Sequence, residues 1–60
     1  KHKIQENIIL NACDTKKIQW LYENQLVKSS ELNEDNIKLE LIWDVDEQQR
    51  FKENFEEAVL

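Results

Sequence analysis

The run Ile37-Lys38-Leu39-Glu40-Leu41-Ile42-Trp43 places large apolar side chains at 37, 39, 41 and 43, with Lys38, Glu40 and Ile42 between them. Side chains of an extended chain point to opposite faces in turn, so this period of two predicts a strand over 37–43 with one buried face. It is the most hydrophobic strand in the chain and is therefore expected at the centre of its sheet. Just before it stands Asn33-Glu34-Asp35-Asn36, and before that the run Leu26 to Leu32. Two runs joined by a short polar segment read as a hairpin, with a strand over 26–32. Asp35-Asn36 takes the place of the usual Asp-Gly, because Asn tolerates positive φ better than other non-glycine residues.

Two helical patterns flank this hairpin. Ile18, Leu21, Tyr22 and then Gln25 or Leu26 fall on one stripe, which predicts an amphipathic helix over 15–24. Asp14 or Thr15 can cap it, and Asn24 is the expected left-handed residue at its end. After the central strand, Asp44 with Glu47 three positions on has the spacing of a capping box. Phe51, Phe55, Ala58 and Val59 then recur at helical spacing, predicting a second helix over 45–58. At the other end of the chain, Asn7-Ile8-Ile9-Leu10-Asn11 reads as a strand over 7–11, with Lys1 to Glu6 as a polar lead-in. Ile8 and Leu10 point one way and Ile9 the other, a hint that both faces are partly shielded.

The order is β-α-β-β-α. The expected fold is α+β: a split, ferredoxin-like unit lacking the fourth strand, with three strands and both helices on one face. The third strand should lie between the first two.

Composition narrows the function. Sixty residues make one domain at most. Asp and Glu total 13 against 8 Lys and Arg, a net charge of −5. That balance repels phosphate backbones and the anionic leaflet of a membrane, so neither DNA nor membrane is an expected partner. One cysteine cannot form an internal disulfide, and the reading is a reducing, cytoplasmic setting. The chain begins at Lys1 and has no Met, so it is expected to be a piece of a larger protein. It also has no Gly and no Pro, so every turn needing positive φ must use another residue.

No residue pattern demands chemistry. His2 is the only histidine and sits in a polar end, where a solvated side chain is expected rather than a ligand. Cys13 has no base beside it in sequence and reads as a buried structural thiol. Glu31, Glu34, Asp35, Asp44, Asp46 and Glu47 lack the frame of a calcium loop, and helix capping explains the last three better. Thus no catalytic, cofactor-binding or metal-binding residue is assigned. Tyr22, Phe51 and Phe55 are expected in the core. Trp20 and Trp43 are expected in the core or at its edge, with Trp20 the better candidate for a protein contact. Lys16 and Lys17 oppose the dipole of the first helix, and together with Trp20 and Lys28 they are the candidate partner contacts.

Trp20-Leu21-Tyr22-Glu23, Val27, Asn33-Glu34-Asp35-Asn36 and Ile37-Lys38-Leu39-Glu40-Leu41 together resemble the C-terminal domain of the HflX-type GTPases. That domain has a helix ending near "LYE-x-G-x-V", an acidic strand, a "DG" hairpin and an "L-x-V-x-L" strand. The resemblance spans roughly Ile8 to Phe55. Gln25 and Asn36 stand where that family has glycines, which puts strain on two turns. The resemblance implies a GTP-binding parent protein that associates with the large ribosomal subunit. The parent's GTP and magnesium would be held in a preceding domain, since a phosphate loop needs glycines this chain lacks. On this reading the chain is a non-catalytic accessory domain, its partner the ribosome or the neighbouring GTPase domain. A stand-alone protein-interaction or regulatory module with a ferredoxin-like sheet is the alternative. A small-molecule-sensing domain is a third class, disfavoured because Ala12-Cys13-Asp14 offers no glycine in the first turn.

Overall fold

A computed structural model describes residues 2–55. The elements run β1 (Ile4–Asn11), α1 (Thr15–Glu23), β2 (Val27–Asn33), β3 (Asn36–Trp43) and α2 (Val45–Phe55). The sheet order is β1-β3-β2, with β3 antiparallel to both neighbours. This is the expected α+β unit with the 37–43 run at its centre. Positions 56–58 of the expected second helix, and Val59, lie outside the described residues.

The alternation in β3 sets the layers. Leu39, Leu41 and Trp43 are buried and Ile37 packs against them, while Lys38 is exposed. Leu21 and Leu26 around the end of α1, and Phe51 of α2, complete the buried cluster, so both helices cover the same face. Ile8 and Leu10 of β1 stand opposite Leu39 and Ile37 and join this layer. Ile9, on the other face, is 66% exposed. The second sheet face is therefore open at β1, contrary to the shielding its apolar run suggested.

β1 starts at Ile4 rather than Asn7, so Ile4, Gln5 and Glu6 are strand and not lead-in. Glu6 hid the pattern, because it occupies a helix-side position opposite Leu41 that periodicity reserves for an apolar residue. Its carboxylate is satisfied there: Oε1 accepts from Trp43 Nε1 at 3.1 Å and from Gln48 Nε2 at 3.0 Å. A charged-group acceptor with two donors can occupy a half-apolar position without an unmet hydrogen bond.

The end of α1 is a Schellman motif. The Leu26 N–H donates to the Leu21 carbonyl at 3.1 Å and the Gln25 N–H to the Tyr22 carbonyl at 3.0 Å. Gln25 has a φ of 59°, whereas Asn24, expected to be left-handed, has a φ of −89°. Asn24 is the C-cap instead, and its Nδ2 donates to the Trp20 carbonyl at 2.8 Å. The motif swings Leu26 back onto Leu21, and both are buried. At the other end, Asp14 occupies the N-cap of α1 but makes no side-chain cap bond, so the expected side-chain capping is absent at that residue.

The hairpin turns on Glu34-Asp35, closed by the Asn33–Asn36 pair. The positive φ falls on Glu34, at 56°, and not on Asn36, which already belongs to β3. β2 also carries an extra residue, Lys28. Val27 faces Leu41 and Ser29 faces Glu40, so two steps on β2 match one on β3. The capping box of α2 is complete. Glu47 N–H donates to Asp44 Oδ1 at 2.8 Å, and Asp44 N–H to Glu47 Oε1 at 2.9 Å.

Candidate interaction surfaces

Two regions of the surface hold the polar groups from which a site would be made. The first is the open face of the sheet. Residues directly opposite each other on paired strands share a face, so Gln5, Asn7, Ile9 and Asn11 of β1 line up with Ile42, Glu40, Lys38 and Asn36 of β3. Ser29 and Glu31 continue this face on β2. Glu40 sits in the middle of it and ties the three strands together. Gln5 Nε2 donates to Glu40 Oε2 from one side, and Ser29 Oγ donates to Glu40 Oε1 at 2.9 Å from the other. Around this carboxylate lies a shallow depression of about 460 Å³, lined by Asn7, Ser29, Ser30, Glu31, Lys38 and Glu40. Only the register brings these residues together. On β3 alone, Glu40 is one polar residue in the outward phase of an alternating strand.

The second region is the start of α1. Lys16 and Lys17 stand in its first turn, which has no acidic residue. They line a hollow of about 370 Å³ with Cys13, Asp14, Thr15 and Phe55. Cys13 is exposed, which corrects its reading as a buried thiol. The cause is the preceding turn: the Cys13 N–H donates to Asn11 Oδ1 at 2.8 Å, and the Asp14 N–H to the Asn11 carbonyl at 2.9 Å. This tight Asx turn carries residue 13 round the outside of the corner.

The four candidate contact residues do not form one patch. Lys16, Lys17 and Trp20 share α1, and Trp20 is half-buried. Its ring meets Phe51 at 5.8 Å and Phe55 at 6.1 Å between centroids, so it closes the edge of the core. Lys28 lies at the opposite end of the sheet. α1 starts beside the hairpin, where the Ala12 N–H donates to the Asp35 carbonyl at 2.8 Å. Lys28 is the second residue of β2, between the Val27–Leu41 and Ser29–Glu40 pairs toward the far end of β3. Tyr22, expected in the core, is 47% exposed. The inward stripe of α1 runs through Ile18, Trp20 and Leu21, which turns Tyr22 outward by one helical step.

The remaining polar clusters are structural in geometry. Lys3 Nζ approaches Glu47 Oε1 at 3.2 Å and Asp44 Oδ2 at 3.9 Å, tying the start of β1 to the α2 capping box. Among the described residues, no three His, Cys, Asp or Glu side chains gather closely enough to hold a metal ion. Among the same residues, no helix is long and apolar enough to cross a membrane. No family model, no curated protein and no solved structure matches this chain.

Proposed function

We propose that this chain is a non-catalytic accessory domain of the kind that ends HflX-type, ribosome-associated GTPases, working in the cytoplasm beside a nucleotide-binding domain. One observation carries the reading. The resembling family places glycine two residues after "LYE", and here the residue at that position, Gln25, has a φ of 59°. A left-handed backbone at that point is what a glycine would serve. The same bend then sets Leu26 into the core and leads into Val27, as the family pattern requires of its own valine. On this reading, GTP and magnesium belong to the parent protein and not to these residues.

The contact surface would be the first turn of α1. Lys16 and Lys17 offer positive charge on an otherwise acidic chain, beside the apolar edge made by Trp20 and Phe55. Lys28, at the far end of the sheet, would touch a partner separately. Two measurements test the proposal. The gene sequence encoding residues upstream of Lys1 is expected to contain G-x-x-x-x-G-K-[ST]; an open reading frame that starts near Lys1, with no such motif before it, removes the reading. Charge reversal of Lys16 and Lys17 to Glu is expected to abolish co-sedimentation with the large ribosomal subunit, and unchanged sedimentation removes the proposed contact.

A second reading, a stand-alone protein-interaction module, is favoured by the uncovered sheet face with Ile9 66% exposed on it. It predicts a partner protein that protects the β1 and β3 amide protons from exchange.

A further inference from the structure

We infer that the outer edge of β1 pairs antiparallel with β1 of a second copy of this chain, in a register centred on Ile9. The sheet order leaves β1 and β2 as edges, and the two differ sharply. Natural sheets blunt an edge with a bulge, with lysine or with proline. β2 has the bulge at Lys28 and further carries Glu31. β1 has no bulge, lysine or proline, and its one inward-pointing charge is Glu6. Its register with β3 runs unbroken through every residue from Ile4 to Asn11, and Glu6 is its only charged residue. The Glu6 carboxylate is drawn to the helix side by Trp43 and Gln48, away from the open face. What remains is an edge in unbroken register that neither a bulge nor a lysine blunts.

The bonding groups on that edge can be assigned. The Ala12 N–H points inward, to Asp35 of the hairpin, and the Ile42 N–H of β3 points toward β2, to the Leu26 carbonyl. Bonding direction alternates along an antiparallel strand. Even-numbered residues of β1 therefore bond to β3, and Gln5, Asn7 and Ile9 turn their N–H and C=O groups outward, joined by the Asn11 N–H; the Asn11 carbonyl already accepts from the Asp14 N–H.

A row of this kind is recognised by another strand, and the side chains say which one. In a two-fold antiparallel pairing centred on Ile9, residue i meets residue 18 − i of the partner copy. On the open face Ile9 meets its own copy, and Asn7 meets Asn11. On the helix side Ile8 meets Leu10. These three pairings, at the centre of the seam, are like with like: aliphatic against aliphatic, amide against amide. An amide carries both donor and acceptor, so two can satisfy each other. Asn11 Oδ1 already accepts from the Cys13 N–H, leaving Nδ2 to donate to Asn7 across the seam. Glu6 meets Ala12, so no charge faces a like charge. Registers centred on Asn7 or Ile8 set Glu6 against Ile8 or Leu10, and Ile9 against Gln5 or Asn7. The self-matching pattern selects a second copy over an unrelated strand. The net charge of −5 per copy opposes the approach at long range, and salt screens it.

Sedimentation equilibrium of the full chain across a concentration series is expected to show a monomer–dimer equilibrium that tightens between 20 mM and 500 mM salt. Ile9→Lys is expected to weaken it at least tenfold. Leu32→Lys, a substitution at the similarly exposed 68% position on β2, is expected to leave it unchanged. In a Cys13→Ser background, a short bismaleimide is expected to cross-link Ile9→Cys chains and not Asn7→Cys chains. Circular dichroism confirms that each variant is folded. A chain that stays monomeric at millimolar concentration and high salt overturns the inference and leaves the edge to a strand of another protein. A dimer indifferent to Ile9→Lys, or cross-linked through residue 7 in place of 9, overturns it equally.

Discussion

Replacing Gln25 with glycine is expected to stabilise the fold by about 0.5–1 kcal/mol, because the left-handed cost of a side chain there exceeds the extra freedom glycine gives the unfolded state. Urea unfolding at constant m-value checks it, and Glu34→Gly should behave alike at its φ of 56°. A beta-branched residue at 25 should lower stability. Both strained positions are consequences of a composition without glycine, and only one of them was legible. Gln25 stood where the resembling family has glycine, although the helix pattern by itself put the left-handed residue at Asn24. The hairpin strain was expected at Asn36 and falls on Glu34, because a two-residue turn needs its unusual φ between the closing pair rather than at its end. The two N-caps make a second contrast at this scale. Asp44→Ala removes one arm of a reciprocal cap and is expected to cost about 1 kcal/mol. Asp14→Ala removes no side-chain cap bond and should shift the unfolding midpoint far less. Equal losses at both sites would contradict the capping geometry.

Among the elements, β3 does most to hold the fold together, and its pattern was the most readable. Its apolar phase was unbroken in sequence, and its three buried residues, Leu39, Leu41 and Trp43, all fall on that phase. β1 was misread at its start because Glu6 interrupts the apolar phase, and the interruption makes sense only once Trp43 and Gln48 stand beside it. No local pattern in β1 announces donors that lie more than 35 residues away. Trp43→Phe keeps the ring contact with Phe51, 5.7 Å between centroids, but strips Glu6 of the indole N–H. It is expected to cost about 1 kcal/mol, the net value of a hydrogen bond to a charged group less its solvation. The α1 stripe was off by one helical step, exchanging Tyr22 for Trp20. Intrinsic hydrophobicity could not separate the two. The three-ring contact of Trp20 with Phe51 and Phe55 does, and it depends on where α2 lies.

For the molecule as a whole, the core is small: six side chains are buried among the described residues. A chain of this length buries only about 60% of its unfolded surface, so its margin is thin. Leu39→Ala, at a fully buried position against both neighbouring strands, is expected to cost about 2–5 kcal/mol and leave the chain largely unfolded at 25 °C. A cooperative melt persisting above 50 °C would show the core to be larger than this layer. Fold class and strand order were legible because periodicity survives without neighbours. The candidate surfaces were less so. The three-strand meeting at Glu40 and the separation of Lys28 from Lys16 and Lys17 are properties of register and topology, and no residue carries them alone.

Val27 and Leu32 both look toward the helices although five positions separate them, an odd spacing that a regular strand forbids. The surplus at Lys28 reconciles the two. The chain thus keeps one residue of slack there: losing any single residue between Val27 and Leu32 leaves an even spacing that a plain ladder accommodates, with neither end turned over. A second loss has nothing left to absorb it and would drive Val27 or Leu32 to the opposite face. Of all the strands, this edge alone can shorten by one and still read the same.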